Sequence, residues 1–164
     1  MALRNIVEEG DDILRKRARE VTEIDQRIKT LVEDMAETMV ASHGVGIAAP
    51  QVGILKRIFL AVPDSEVDEI PMVFINPEIL EQEGSQMGEE GCLSVPGFVG
   101  TVERPLSIKI KALDIDGNEK TYDFADFAAV VICHEYDHLN GILYTDKAKD
   151  IHETTFDGSE ELPV

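Results

Sequence analysis

Ala125-Asp126-Phe127-Ala128-Ala129-Val130-Val131-Ile132-Cys133-His134-Glu135-Tyr136-Asp137-His138-Leu139 is the stretch around which the fold is organised. It holds neither Gly nor Pro and is followed by Asn140-Gly141, so it reads as a helix with a clear stop. Asp126 near its start suits the helix dipole. His134 and His138 stand four residues apart, which places both on one face where they can reach one ion. Glu135 lies between them, next to that face, where it can handle the proton of an activated water. Phe127, Val130 and Val131 precede His134 at helical spacing and share its face. That face is therefore buried, and two imidazoles without partners there would be costly. A shared ion removes the cost. Two incidental surface histidines do not fit this pattern.

Working outward, Thr22 to His43 repeats Ile24, Ile28, Leu31, Val32, Met35 and Met39 at helical spacing, and Gly44 offers a stop. Gly44 to Gly53 is a loop rich in Gly and Ala, where backbone can approach a ligand closely. Arg57 to Val62 and Met72 to Ile75 read as short strands. Glu78 to Gly100 mixes Glu, Gly and Pro, and reads as strand ends and loop around a short strand near Cys92. Ser107 to Leu113 and Lys120 to Phe124 flank Asp116-Gly117, a hairpin pattern. The expected fold class is α+β: mostly antiparallel strands around a C-terminal metal-binding helix, with the N-terminal helix packed outside. Residues 1–149 are expected to form a single catalytic domain, and 150–164 an acidic, loosely ordered tail.

The chain has 164 residues, a length suited to one domain. Its 15 Lys and Arg against 33 Asp and Glu give a net charge of −18, which argues against a nucleic-acid backbone or an anionic membrane as main partner. Two cysteines do not make a disulfide scaffold. Met1 to Lys16 contains no continuous apolar run that would serve as a signal peptide, and no stretch approaches the roughly 18 apolar residues of a membrane span. A soluble protein of a reducing cytoplasm is the expectation, with thiolates free for metal chemistry.

A catalytic site keeps three protein ligands and one open position, so the helix needs a third donor. One metalloprotease class places a third His six residues after the second; Gly141 stands as that class would have it, but Tyr144 occupies the position of the His. A second class uses a Glu farther downstream, and Glu160 is near that distance in a polar tail. His43 and His152 have no supporting context, and His43 more simply ends the first helix. Cys133 points away from the ligand face, being next in sequence to His134. Cys92, in Glu90-Gly91-Cys92-Leu93-Ser94, is the better candidate.

Three segments together resemble the peptide deformylase family: Gly44-Val45-Gly46-Ile47-Ala48-Ala49-Pro50-Gln51, Glu90-Gly91-Cys92-Leu93-Ser94, and His134-Glu135-Tyr136-Asp137-His138-Leu139-Asn140-Gly141. Their order and spacing match as well, in the manner of the compact bacterial type. The resemblance implies a metal-dependent hydrolase that removes the formyl group from the N-terminal formylmethionine of newly made polypeptides and releases formate. It implies Cys92, His134 and His138 as ligands of one divalent ion, iron(II) by family, with zinc, nickel and cobalt also suited to the donors. It implies Glu135 as the acid/base, and Gln51 and the Leu93 backbone N–H as donors to the formyl oxygen. Phe127, Val130 and Val131 are expected to line a pocket for the methionine side chain. Gly44, Val45, Gly46 and Gly91 are expected to let an extended peptide lie against backbone. Glu90 or Asp137 is expected to orient a ligand His, with Arg104 as partner of either carboxylate. Gly88 departs from the family, which commonly has an apolar pocket residue there. Formylmethionyl peptides and nascent chains are the expected partners of a monomer. Transient contact with the ribosome is opposed by the acidic tail and by the lack of a long basic C-terminal helix. The rival reading is a zinc endopeptidase of the His-Glu-x-x-His type, in which Cys92 would be dispensable.

Overall fold

Helix α1, Gln26–Ala41, starts where the Asp25 carboxylate accepts a hydrogen bond from the Ile28 N–H at 3.1 Å. Its buried stripe is Ile28, Leu31, Val32, Met35 and Met39. The helix ends two residues short of His43, which itself takes the left-handed conformation at φ 59°. The Gly44 N–H then closes the end on the Met39 carbonyl at 3.0 Å. Gly44 is thus not the residue that reverses the chain. It is small because Leu93 presses on it: a Cβ there would lie 2.9 Å from Leu93 Cδ1. The structure, a computed structural model, describes residues 2–64 and 70–154.

Eight strands follow in these residues: β1 Gly46–Ala48, β2 Ile58–Ala61, β3 Met72–Glu83, β4 Gln86–Cys92, β5 Val95–Arg104, β6 Ser107–Leu113, β7 Glu119–Ala125 and β8 Lys149–Glu153. They form two antiparallel sheets, ordered β1-β2-β3-β6-β7 and β4-β5-β8. Helix α2, Asp126–Leu139, lies between the first sheet and the second. The α+β class expected from sequence is what forms.

Strand β2 shows how the layers are assigned. Ile58 and Leu60 pack with the α1 stripe, while Phe59 and Ala61 pack with Ala129 to Cys133 of α2. Alternation by two puts one helix on each face, so all four residues are buried. Trp is absent from the chain, and the rings of Phe59, Phe74, Tyr122 and Phe124 supply the bulk on the α2 side, Phe59 stacking on Phe74 at 4.7 Å. The last carbonyl of α2, that of Leu139, accepts from the Ala18 N–H and from Arg57 Nη1, each at 2.9 Å.

Three readings change. Strand β3 does not stop at Ile75. Asn76-Pro77 makes an irregularity instead of an end, with Asn76 at φ 51° and its side-chain amide bonded to both the N–H and the C=O of Val21. The stretch from Glu78 to Gly100 is mostly strand. Charged and apolar residues there alternate across a half-exposed sheet, which looks loop-like in composition alone. Finally, the chain remains paired past residue 149, because β8 adds to β5 with Phe98 opposite Glu153 and Thr101 opposite Lys149. All of β8 is exposed and, apart from Ile151, polar, as suits an edge strand, so no apolar pattern marks it. The rest of the expected tail, including Glu160, lies outside the described residues. Among the described residues no helix is long and apolar enough to cross a membrane.

Gly141 follows α2 at φ +75°, and a Cβ there would sit 2.5 Å from the Arg15 carbonyl oxygen. The left-handed conformation alone costs a side-chain-bearing residue about 1–2 kcal/mol. Gly141→Ala should therefore lower the melting temperature by at least about 2–4 °C; an unchanged melting curve would show that this turn relaxes freely.

Candidate metal centre

Two elements built by unrelated sequence rules meet at one point. Helical spacing brings His134 and His138 to one face of α2, their ring centroids 5.0 Å apart. Strand β4 ends at Cys92, just before the two-residue turn Leu93-Ser94 that leads into β5. The Cys92 Sγ lies 3.4 Å from His138 Nε2. One ligand atom from each of Cys92, His134 and His138 lies within 4.8 Å of the others, and all three residues are buried. Among the described residues no fourth His, Cys, Asp or Glu joins this group. A thiolate and two imidazoles in such reach form a donor set suited to zinc or another borderline divalent ion, with one vertex left for a small molecule.

The site is held from behind. Glu90, fully buried two residues before Cys92, accepts from Arg104 Nε and Nη2, both at 2.8 Å. Its Oε1 also meets His134 Nδ1 at 2.9 Å, which fixes the ring and leaves Nε2 free to ligate. Arg104 Nη1 in turn binds Asp137 Oδ2 at 2.7 Å, and Lys147 reaches the same oxygen at 2.9 Å. Glu90 and Asp137 thus share one buried guanidinium. Burial alone would raise the Glu90 pKa; the hydrogen bonds from Arg104 and His134 outweigh it and bring the carboxyl down to about 2. At His134 burial works downward, but hydrogen bonds with Cys92 and Glu90 raise the pKa overall. Burial lowers that of His138, which favours the neutral imidazole a ligand needs.

Glu135 is 1% exposed, and its Oε1 has no hydrogen-bond partner. Burial pushes its carboxyl up to about 7. It is packed against Gly46 so closely that a Cβ there would lie 2.5 Å from Glu135 Oε2. Gln51 is equally buried, in a 3-10 turn after β1. Its Oε1 accepts from the Ala48 N–H at 2.9 Å, which aims Nε2 at Ser94 Oγ (3.1 Å) and Cys92 Sγ (3.5 Å). Gly46, Gln51, Cys92, His134, Glu135 and His138 therefore form one cluster.

The remaining residues singled out from sequence are more spread. Val45, Val130 and Val131 are buried in the core between α2 and the first sheet. Phe127 is 49% exposed, two helical turns before His134. Gly44 lies under Leu93, and Gly91 between Glu90 and Cys92 on β4. Cys133 is buried away from the cluster, with burial lifting its thiol to about 11. His43 and His152 are on the surface. Two contributors escaped the sequence reading. Ser94 holds the Gln51 amide, and Tyr144 stacks on His134 with ring centroids 6.1 Å apart. Ser94 had a signal, standing two residues after Cys92. The Tyr144 contact had none, since it depends on how the chain returns after α2.

Comparison with known proteins follows the same lines. A family model described as polypeptide deformylase matches residues 3–154. The peptide deformylase of Acetivibrio thermocellus is 54% identical over 147 residues, covering 90% of this chain and 84% of that protein. Peptide deformylase 1 of Clostridium perfringens is 57% identical over 146 residues, covering 89% and 98%. The crystal structure of peptide deformylase from Thermotoga maritima superposes with a TM-score of 0.85 at 42% identity, covering 90% of this chain and 98% of that one.

Two substitutions test the geometry. Arg104→Met leaves Glu90 and Asp137 buried without their shared cation, and should destabilise the protein by about 3–5 kcal/mol in urea titration. A loss below 1 kcal/mol would mean that the network is dispensable. Gly46→Ala must displace Glu135, so it should depress activity at least tenfold while metal content stays at one ion per chain; full activity would deny the close approach.

Proposed function

The chain belongs to the polypeptide deformylase family and has peptide deformylase activity, and from that premise we propose how its own residues remove the formyl group from the formylmethionine that begins a new polypeptide. Support comes above all from one observation: the thiol of Cys92 converges with His134 and His138 beside a buried carboxylate, Glu135, whose Oε1 has no hydrogen-bond partner among the described residues.

Cys92, His134 and His138 are the residues that would hold the ion. When bound, a divalent ion there supplies Lewis acidity, which polarises a carbonyl and lets water ionise near neutral pH. Glu135 accepts the proton of the attacking water as the new C–O bond forms at the formyl carbon. Gln51 Nε2 and the Leu93 N–H donate to the formyl oxygen as it gains charge, a kind of contact worth about 2.7–4 kcal/mol of barrier each. The Ala48 bond to Gln51 Oε1 keeps that amide from rotating away. Glu135 then returns its proton to the departing nitrogen as the C–N bond breaks, leaving formate and a free N-terminus. Phe127, Val130 and Val131 receive the methionine side chain, and the backbone from Gly44 to Gly46, with Gly91, flanks the extended peptide.

The thiolate and two imidazoles suit iron(II), as the family resemblance implies, and equally admit zinc, nickel or cobalt. Both cysteines are free, which fits a reducing cytoplasm. Nascent chains are the substrates, the enzyme acts as a monomer whose catalytic domain includes β8, and contact with the ribosome is no more than transient. The endopeptidase reading asks for a third ligand downstream of the helix. Cys92 takes that place, so nothing favours it.

Anaerobically purified, metal-loaded protein should release formate from a formyl-methionyl tripeptide. Glu135→Gln should retain the ion and lose about 10²–10⁴-fold in kcat. Cys92→Ala should lose both ion and activity. Absence of formate from the wild type, or equal rates in Glu135→Gln, would refute the mechanism.

A further inference from the structure

Residues 2–8 belong to no helix or strand, yet several of their backbone N–H groups are committed to particular partners. The Ala2 N–H donates to Asp34 Oδ1 at 2.8 Å and the Arg4 N–H to Thr38 Oγ1 at 2.9 Å, both on α1. Farther along, the Val7 N–H donates to the Gln51 carbonyl and the Glu9 N–H to the Ser94 carbonyl, each at 2.7 Å. Groups two residues apart in an extended chain point the same way, so one short stretch serves two loops. The segment is pinned at both ends. Arg4 pairs with Asp34 at 2.9 Å, and Leu14 is buried in the cluster that holds Cys92 and Tyr144. Val7 to Glu9 is therefore stretched between α1 and the surroundings of the metal centre.

The two loops joined in this way come from distant parts of the chain. Gln51 follows β1, and Leu93 with Ser94 forms the turn between β4 and β5. Side chains connect them through Gln51 Nε2, which lies 3.1 Å from Ser94 Oγ and 3.5 Å from Cys92 Sγ. That amide is the one the formyl oxygen needs, so the spacing of the loops requires a tie that leaves it free. Donors to a developing oxyanion work at about 2.7–3.1 Å from it. A misplacement of about 1 Å can cost about a hundredfold in rate. The bonds from Val7 and Glu9 fix the spacing without occupying either donor. Both end on main-chain carbonyls, so they do not depend on the side chains at 7 and 9, and no residue pattern marks them.

Resting on the deformylase reading, we propose that Val7 and Glu9 are positioning residues for the reaction: their N–H groups hold the Gln51 loop and the Leu93-Ser94 turn at the spacing that lets Gln51 Nε2 and the Leu93 N–H meet one oxygen. They act through those donors and not on the substrate. Their effect belongs to the transition state, where the formyl oxygen gains charge, and falls on kcat rather than on KM or on the ion. The backbone at Glu9 offers a clean way to remove one tie. The Asp11 N–H donates to the Glu8 carbonyl at 3.2 Å and Gly10 stands at φ +107°. Glu9 is thus the second residue of a tight turn, a place that proline favours.

The test measures formate release from a formyl-methionyl tripeptide by metal-loaded wild type, Glu9→Pro, Glu9→Ala and Val7→Pro, with metal content and melting temperature as checks of the fold. Glu9→Ala removes the carboxylate near Arg15 and keeps the N–H, whereas Glu9→Pro removes both. In Glu9→Pro, kcat should fall at least about tenfold further than in Glu9→Ala, with KM within about threefold and one ion per chain retained. Val7→Pro acts through Gln51, so a double-mutant cycle with Gln51→Ala should be non-additive. In the Gln51→Ala background Val7→Pro should cost less than about threefold, whereas a merely structural role would leave its full effect. If one proline variant loses its ion or its fold, the other decides. Equal kcat in Glu9→Pro and Glu9→Ala, a change in KM alone, or full additivity in the cycle would overturn the proposal. Loss of ion or fold in both proline variants would do the same, since the ties would then hold the fold and not the donors. No formate from the wild type would instead overturn the deformylase reading beneath it.

Discussion

One buried guanidinium organises the centre of this protein. Arg104 ends β5, yet it binds Glu90 on β4 through two nitrogens and Asp137 on α2 through a third. Three elements from different parts of the chain are thereby held in one register. Buried ion pairs contribute little net stability, because desolvation offsets attraction, but they penalise any arrangement that separates the partners. Here the arrangement so defended is the alignment of β4 with α2, and every ligand atom of the metal centre depends on it. Slippage of β4 by one residue would turn Glu90 outward and move Cys92 away from His138.

The same alignment explains the division of labour on α2. One side of the helix, with Ala129, Val131 and Ile132, packs on the first sheet with the Phe59–Phe74 rings. The other presents His134, Asp137 and His138 to β4 and β5. Glu135 sits at the seam, where the backbone of Gly46 closes over it and no side chain satisfies its Oε1. A carboxylate in that position is desolvated, which is the condition under which it can both take and return a proton near neutrality. Rigid elements supply every member of the cluster, so the groups are placed before substrate arrives.

Small residues shape what is left. Gly46 is demanded by Glu135 and Gly44 by Leu93, and together they bring the loop between α1 and β2 against the site. Gln51 is tied back to Ala48 on one side and aimed at Ser94 and Cys92 on the other. Tyr144 braces His134 from the segment after α2. The strongly acidic surface plays no visible part in this cluster, whose buried charges balance around Arg104 and Lys147.

Local rules reached a long way. The apolar periodicity of α1 and α2, the hairpin at Asp116-Gly117 and the i, i+4 spacing of His134 and His138 are properties of contiguous residues, so they were legible in the chain by itself. Cys92, Glu90 and Arg104 could be nominated from their motifs and charges, but only the folded structure brings them to 2.7–2.9 Å from their partners or, for the thiol, to 3.4 Å from an imidazole. The continuation of β3 through Asn76-Pro77, the long β4–β5 hairpin and the edge strand β8 were hidden, because pairing with a distant strand supplies what composition withholds. The same holds for the contacts of Ser94 and Tyr144. A side chain's identity is written in the sequence, whereas the space it leaves or the ring it meets belongs to residues far along the chain, and only their packing decides it.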